Sequence, residues 1–131
     1  MLMQQPDNLI RGIVHNFENV YFLQNESFEL TNDVVIIGTT LWSKVPTDLS
    51  DLVSYSMNDY TQIYNDNNYL ITPEEINVIH DNNINQSRQL IDKNYGKKIV
   101  MVSHHLPSFQ LINPQYIRHP LIVVLPIIWN I

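Results

Sequence analysis

The sequence predicts an α/β fold, in which two buried strands flank one long helix. Runs of β-branched and other apolar residues at 34–42 and 99–103 are typical of strands that are buried on both faces. Residues 72–93, which lie between them, carry a helix-start signal and apolar side chains at an imperfect helical spacing. At 131 residues the chain makes one ordinary domain or part of a larger one.

The first part of the chain predicts a weak helix followed by short strands. Apolar residues from Leu9 to Phe17 recur at a weak helical spacing. Strands are expected at 20–23 and 27–30, ahead of the more secure strand at 34–42, and the turns between them contain Asn, Asp and Glu.

Residues 43–70 predict a long surface loop with a short helix near 49–53, because the segment is polar and irregular. Loops of this length in compact domains are often binding loops or lids. The helix that follows begins at a capping box: Thr72 can cap it, Pro73 takes its first position, and Glu75 lies three residues after the cap.

The composition argues against several classes of function. The chain is 44% apolar and 15% charged, which is the balance of a globular protein. Its net charge of −6, with only seven lysines and arginines, argues against nucleic-acid binding. It has no cysteine for a disulfide or a thiolate metal site. No signal peptide and no membrane span are expected, so the sequence predicts a cytoplasmic protein without a membrane partner.

Two adjacent histidines are the strongest candidates for chemistry. Gly96 is placed to end the helix, and the strand at 99–103 leads directly into His104 and His105. Functional groups in open α/β sheets gather at the carboxyl ends of strands. A neutral histidine there can bind a divalent metal if a neighbouring group fixes its tautomer. The alternative is that both histidines only hydrogen-bond the backbone at the end of a strand.

Several short stretches together resemble the calcineurin-like metallophosphoesterases. Ser-His-His-Leu-Pro-Ser at 103–108, after a buried strand, resembles that family's histidine motif. Ile-Ile-Gly-Thr-Thr-Leu-Trp-Ser at 36–43 looks like a stretch found upstream of this motif, and 58–63 resembles an Asn-Asp-Tyr-x-x-Ile stretch. Residues 19–25 are similar to an asparagine, buried strand and Leu-x-Asn run. The likeness covers roughly residues 16–116 in the correct order.

The resemblance implies a fold, a cofactor and a set of site residues. The fold would be a partial form of the family's two-sheet sandwich with flanking helices. In the intact family a pair of divalent metals of the Mn, Fe or Zn type activates an oxygen that attacks a phosphoester. By position, His104 corresponds to a metal-binding histidine. His105, Trp42 and Asp59 correspond to residues of the substrate pocket. The alternative for His105 is a neighbour without a chemical role. The alternatives for Trp42 and Asp59 are core packing and loop hydrogen bonding.

Most of the family's metal-ligand motifs are absent from this sequence. The family also uses Asp-x-His, Gly-Asp-x-x-Asp, Gly-Asn-His-Glu and Gly-His-x-His, and none of these occurs here. One imidazole cannot hold a two-metal centre. The remaining central histidines, His15 and His80, are expected at the surface. The sequence therefore predicts a truncated phosphoesterase that binds no metal stably and is inactive alone.

Two other interpretations stay open. One is an active phosphoesterase completed by another chain or by a missing N-terminal part, with a phosphoester as substrate. The other is a small non-enzymatic binding protein that reuses the scaffold. Residues 1–119 would form the partial phosphoesterase domain, whereas 120–131 form an atypical apolar tail with two prolines. An out-of-frame reading by one nucleotide would explain this tail, and a genuine C-terminal strand is the alternative.

Overall fold

A computed structural model describes residues 5–116 and shows a mixed α/β fold with one small sheet. In chain order the elements are α1 (Gln5–Val14), β1 (Glu26–Thr31), β2 (Val34–Thr39), α2 (Ser50–Ser56), α3 (Asp59–Gln62), α4 (Pro73–Lys93) and β3 (Lys98–Ser103). Short 3-10 turns lie at Thr47–Leu49, Phe109–Leu111 and Pro114–Tyr116. The apolar tail at 120–131 lies outside the described residues. In the part of the chain that the structure describes, no helix has the length and apolar character needed to cross a membrane.

The sheet has the strand order β1-β2-β3, with β2 in the centre. β1 and β2 form an antiparallel hairpin, and β2 and β3 are parallel, with their register running from Val34 opposite Lys98 to Thr39 opposite Ser103. Parallel neighbours need a long crossover connection, which α4 provides. Because β2 and β3 end at the same edge, the residues that follow Thr39 and Ser103 lie next to each other.

Helix α4 forms where the sequence predicts it. The Thr72 side chain accepts a hydrogen bond from the Glu75 backbone N–H, and the Glu75 carboxylate accepts one from the Thr72 backbone N–H. Both halves of the predicted capping box are therefore present, with Pro73 at the start of the helix. The predicted short helix in the long loop is also present, as α2.

The predicted strand at 20–23 is wrong. This segment has no regular structure and crosses one face of the sheet, so closely that a Cβ atom on Gly38 would lie 2.5 Å from the Cβ atom of Leu23. The ring of Tyr21 packs on Phe28 of β1 with ring centroids 4.0 Å apart. The apolar run therefore covers the sheet instead of pairing with its edge, which periodicity alone does not distinguish.

The two predicted buried strands differ in their surroundings. Val35 and Ile37 of β2 are fully buried on one face of the sheet, and β2 contacts α4. On the opposite face, Val100 and Val102 of β3 are 48% and 56% exposed. The prediction that 99–103 is buried on both faces is therefore wrong within the described residues, because β3 is the edge strand there and this face is only partly covered.

A second apolar cluster lies beside the sheet, between α4 and the long loop. It contains the buried residues Val45, Val53, Tyr60, Ile71 and Ile76. Since these side chains come from the loop, from α2 and α3 and from the start of α4, the polar region at 43–70 is packed onto the domain. The expected surface loop is thus anchored by its few apolar residues.

Candidate functional site

The segments that leave β2 and β3 continue side by side beyond the strands. The backbone N–H of His104 donates to the Thr39 carbonyl at 3.3 Å, and that of His105 donates to the Thr40 carbonyl at 3.1 Å. These two bonds join the segment after β3 to the end of β2 beyond the last paired residues of the sheet. The histidine pair is thereby fixed against the β2 exit segment, which we define as residues 40–46.

The structure brings together side chains that the resemblance assigned to one site. The rings of Trp42 and His105 lie with centroids 5.2 Å apart, and the rings of His104 and His105 meet edge-on at 5.1 Å. Asp59, at the start of α3, lies close enough for its charge to act on His105. Three separate stretches of sequence therefore converge at the carboxyl edge of the sheet, and their chemical roles stay predictions.

The environment of His105 favours its neutral form. Burial lowers the pKa of His105 below its ordinary value of 6.5, because the charged imidazolium loses contact with water, and the nearby His104 lowers it further. The charge of Asp59 acts in the opposite direction and raises the pKa. A neutral imidazole keeps one nitrogen as a donor and one as an acceptor, and it adds no charge to the site.

The side chain of Ser43 contacts the ring of His105. Its hydroxyl oxygen lies 3.0 Å from Nδ1 of His105, and the serine is only 2% exposed. Ser43 lies in the stretch at 36–43 that resembles the family, but no role in the site was predicted for it from the sequence. The signal that locates it is the strand register, because Thr39 pairs with Ser103 and the residues shortly after each strand must meet. That register is not visible in the sequence.

Three polar side chains on one face of α4 hold the backbone of the β2 exit segment. Asn83 Oδ1 accepts from the Trp42 N–H at 3.3 Å, and His80 Nδ1 lies 2.6 Å from the Trp42 carbonyl oxygen. Asn77 accepts from the Val45 N–H at 2.7 Å and donates to the Val45 carbonyl at 2.8 Å. Asn77, His80 and Asn83 are spaced three residues apart, and side chains at this spacing share a helix face. The sequence alone therefore shows that these polar residues lie together on α4.

The predicted surface position of His80 is wrong. The residue is 6% exposed, and its ring is turned inward to the Trp42 carbonyl. A carbonyl oxygen can only accept a hydrogen bond, so Nδ1 of His80 carries the proton. A surface position was expected because the apolar period of α4 lies on other residues. In the structure the adjacent polar side chains of α4 bind backbone groups instead.

The turn at the end of β2 is fixed from the opposite direction by the segment that precedes β1. Thr39 donates its hydroxyl proton to Asn25 Oδ1 at 2.6 Å, while Thr40 donates both its N–H and its hydroxyl proton to Gln24 Oε1. Leu41 then takes a φ of 53°, a value that L-residues rarely adopt. This backbone conformation explains why the predicted strand at 34–42 ends earlier, at Thr39.

An open cleft of about 560 Å³ lies on one side of Trp42. Its wall combines apolar side chains with the acidic residues Asp7, Asp66 and Glu75, and the described residues that line it include no lysine or arginine. A bare phosphate group would meet net negative charge there. Cations would therefore favour the binding of a phosphoester in this cleft.

The described residues do not by themselves fit a two-metal centre. Among residues 5–116 there is no group of three or more histidine, aspartate or glutamate side chains placed to hold a metal ion. His104 is exposed and offers one imidazole, and Nδ1 of His105 is occupied by Ser43. Each metal ion of a pair needs several ligands in fixed geometry, so the remaining ligands would have to come from outside the described residues.

No protein-family model matches this chain. No solved structure matches it either. The chain is 34% identical over 103 residues to the uncharacterized protein L509 of Acanthamoeba polyphaga mimivirus. The match covers 76% of this chain but only 36% of the relative. The chain thus spans about a third of the length of the viral protein that it matches.

Proposed function

We propose that this chain is part of a calcineurin-like metallophosphoesterase domain that hydrolyses a phosphoester when complete. The observation that carries the proposal is the convergence of His104, His105, Trp42 and Asp59 at the carboxyl edge of the parallel strands. These residues come from three of the stretches that resemble the family. Their meeting in space is what a shared site requires, and carboxyl strand ends are where such sites form.

The fold supports the same proposal at a coarser level. In the proposed domain the described sheet is one part of a two-sheet sandwich with flanking helices. The exposed apolar side chains of Val100 and Val102 then mark the face that the rest of the domain covers. The viral relative has nearly two thirds of its length outside the match, which is ample polypeptide for a second sheet.

The proposed cofactor is a pair of divalent metals of the Mn, Fe or Zn type, with His104 as one ligand. When bound, such a pair supplies a nucleophilic oxygen and polarises the phosphoryl group. The acidic cleft beside Trp42 supports a need for cations near the substrate. The chain alone would bind no metal stably and would be inactive, and a cytoplasmic location is part of the proposal.

The first test is the nucleotide sequence of the locus with several hundred bases on each side, translated in all frames. We expect Asp-x-His, Gly-Asp-x-x-Asp and Gly-Asn-His-Glu upstream, and Gly-His-x-His downstream in a shifted frame. Flanks that encode unrelated proteins and none of these motifs would contradict the proposal.

The second test is hydrolysis of a generic aryl phosphate by the completed polypeptide in the presence of Mn²⁺. We expect the chain alone to be inactive and the longer polypeptide to be active. His104→Ala should reduce that activity by more than about 100-fold, beyond the usual effect of residues that only support ligands. His15→Ala, an exposed histidine outside the site, is the matched control and should leave the rate unchanged.

A non-enzymatic binding protein is the second candidate, and one observation favours it. The outer edge of β3 has no strand partner within the described residues and carries the exposed side chains of Val100 and Val102. Such an edge can pair with a strand of another protein. Analytical ultracentrifugation and NMR separate the two cases: a folded, inactive monomer supports a binding protein, whereas an aggregated product supports an incomplete domain.

A further inference from the structure

The hydroxyl group of Ser43 has a single place to donate its proton. Ser43 is only 2% exposed, and its hydroxyl oxygen lies 3.0 Å from Nδ1 of His105. Within residues 5–116 no other hydrogen-bond partner of this hydroxyl is present. A serine hydroxyl has one proton, and buried donors in proteins are nearly always paired. The Ser43 hydroxyl therefore donates to Nδ1 of His105.

This bond decides which nitrogen of the neutral ring carries the proton. A neutral imidazole has one N–H, so an Nδ1 atom that accepts a hydrogen bond leaves the proton on Nε2. The reverse arrangement, in which Nδ1–H donates to Ser43, would leave the serine proton buried without an acceptor. We propose that Ser43 is a positioning residue that holds neutral His105 as an Nε2–H donor for an anionic oxygen, such as a phosphoryl oxygen.

His80 provides an internal contrast. Its Nδ1 faces the carbonyl oxygen of Trp42 at 2.6 Å, so in that ring the proton is on Nδ1. Two consecutive residues of the β2 exit segment, Trp42 and Ser43, thus fix two histidine rings in opposite tautomers. The difference arises because one residue presents an acceptor and the other presents a donor.

The inference divides the roles of the adjacent histidines, and its ligand chemistry rests on the proposed function. Neither ring nitrogen of His104 has a hydrogen-bond partner in the described part of the chain, so its tautomer is free to adapt to a metal ion. His105 instead offers an N–H at Nε2, which suits an oxygen of the substrate and not a metal. Donors aimed at a charged oxygen are a main source of stabilisation in phosphoryl transfer.

The tautomers are measured directly by long-range ¹H–¹⁵N correlation spectra of the whole chain with ¹⁵N-labelled histidine, in mildly alkaline buffer. We expect His105 to have a protonated Nε2 and an unprotonated Nδ1, and His80 to show the reverse. Exposed His15 serves as the reference for an unfixed ring. A wild-type His105 with its proton on Nδ1 would overturn the proposal without any variant.

Substitution of Ser43 shows whether this serine is the cause. Ser43→Ala should shift His105 towards the mixed tautomers of His15 while His80 keeps its own. Ser87→Ala is the matched control, because Ser87 is fully buried and its hydroxyl has no partner in the described structure. An unchanged His105 spectrum in Ser43→Ala, or an equal change in Ser87→Ala, would rule out a positioning role for Ser43.

The anion part of the proposal has its own probe, which is inorganic phosphate titrated into the chain without metal. We expect the His105 Nε2–H signal to shift more than the signals of His15. A His105 signal that shifts no more than the signals of His15, including no response at all, would overturn the assignment to an anionic oxygen. These spectra need neither metal nor catalysis, so an inactive completed polypeptide would contradict the proposed function and leave the tautomer result standing.

Discussion

The segments that leave the two parallel strands are held in very different ways. The β2 exit segment is buried at Leu41, Ser43 and Val45, and side chains of α4 bind its backbone. The segment after β3 is bound through the backbone N–H groups of His104 and His105, and it contacts the β2 exit segment through Ser43. The first segment is therefore a rigid support, and the candidate site residues after β3 depend on it.

The largest effect should come from removing the support at Val45. Asn77→Ala deletes two hydrogen bonds to a residue that is 2% exposed, and the buried backbone N–H and carbonyl lose their partners. We expect the free energy of unfolding, measured with urea, to fall by about 2–4 kcal/mol. Asn85→Ala, at an exposed position on the same helix, should change it by less than about 0.5 kcal/mol. Equal losses of unfolding free energy in the two variants would contradict the conclusion that α4 supports the β2 exit segment.

Gly38→Ala tests the packing on the last part of β2. The added methyl group would lie 2.5 Å from the Leu23 Cβ atom and 2.7 Å from its carbonyl oxygen, so backbone must move. Thermal and urea unfolding should show a loss of roughly 1–3 kcal/mol. Gly12→Ala has no atom within 4 Å of the new methyl group, and in a helix it should instead stabilise by up to about 1 kcal/mol.

Two histidines allow a direct comparison of the segments that leave β2 and β3. His80 binds the β2 exit segment, and His104 lies in the segment after β3. His80→Ala removes the hydrogen bond to the Trp42 carbonyl and should cost about 1–2 kcal/mol of unfolding free energy. His104→Ala removes an exposed side chain and should cost less than about 0.5 kcal/mol. A larger loss of unfolding free energy for His104→Ala than for His80→Ala would contradict the conclusion that the segment after β3 depends on the β2 exit segment.

The smallest expected effect is electrostatic. Asp59→Asn removes the charge that raises the pKa of His105, so NMR titration should show that pKa falling further below 6.5, while exposed Asp51→Asn should leave it unchanged.

Because the folded pKa of His105 already lies below the ordinary value, the unfolded chain binds the proton more readily. Stability should therefore be intact above pH 6.5 and decline as the pH falls through that value.

The parts of the fold that were predictable depend on local signals. The capping box at Thr72 and Glu75 is complete within four residues, and β-branched runs identified β2 and β3. The strand prediction at 20–23 failed because the same run of apolar residues can form a strand or cover a sheet. The choice is made by contact with Gly38, which is distant along the chain.

The candidate site was predictable only in part, for a similar reason. A resemblance across separate stretches suggested that Trp42 and His105 share a pocket, and the structure places their rings in contact. The contacts of Ser43 and His80 were missed because their partners are set by the β2–β3 register and by the orientation of α4. Periodicity describes which side chains are apolar, but it does not describe which backbone groups need partners.

The bonds from α4 to the β2 exit segment also have a consequence for proteolysis. A protease binds its substrate through free backbone N–H and carbonyl groups, and those of Trp42 are already occupied. Chymotrypsin should therefore spare the Trp42–Ser43 bond, although this segment has no regular structure. The bond after Tyr95 should be cut early, because Tyr95 is 94% exposed in the turn before β3.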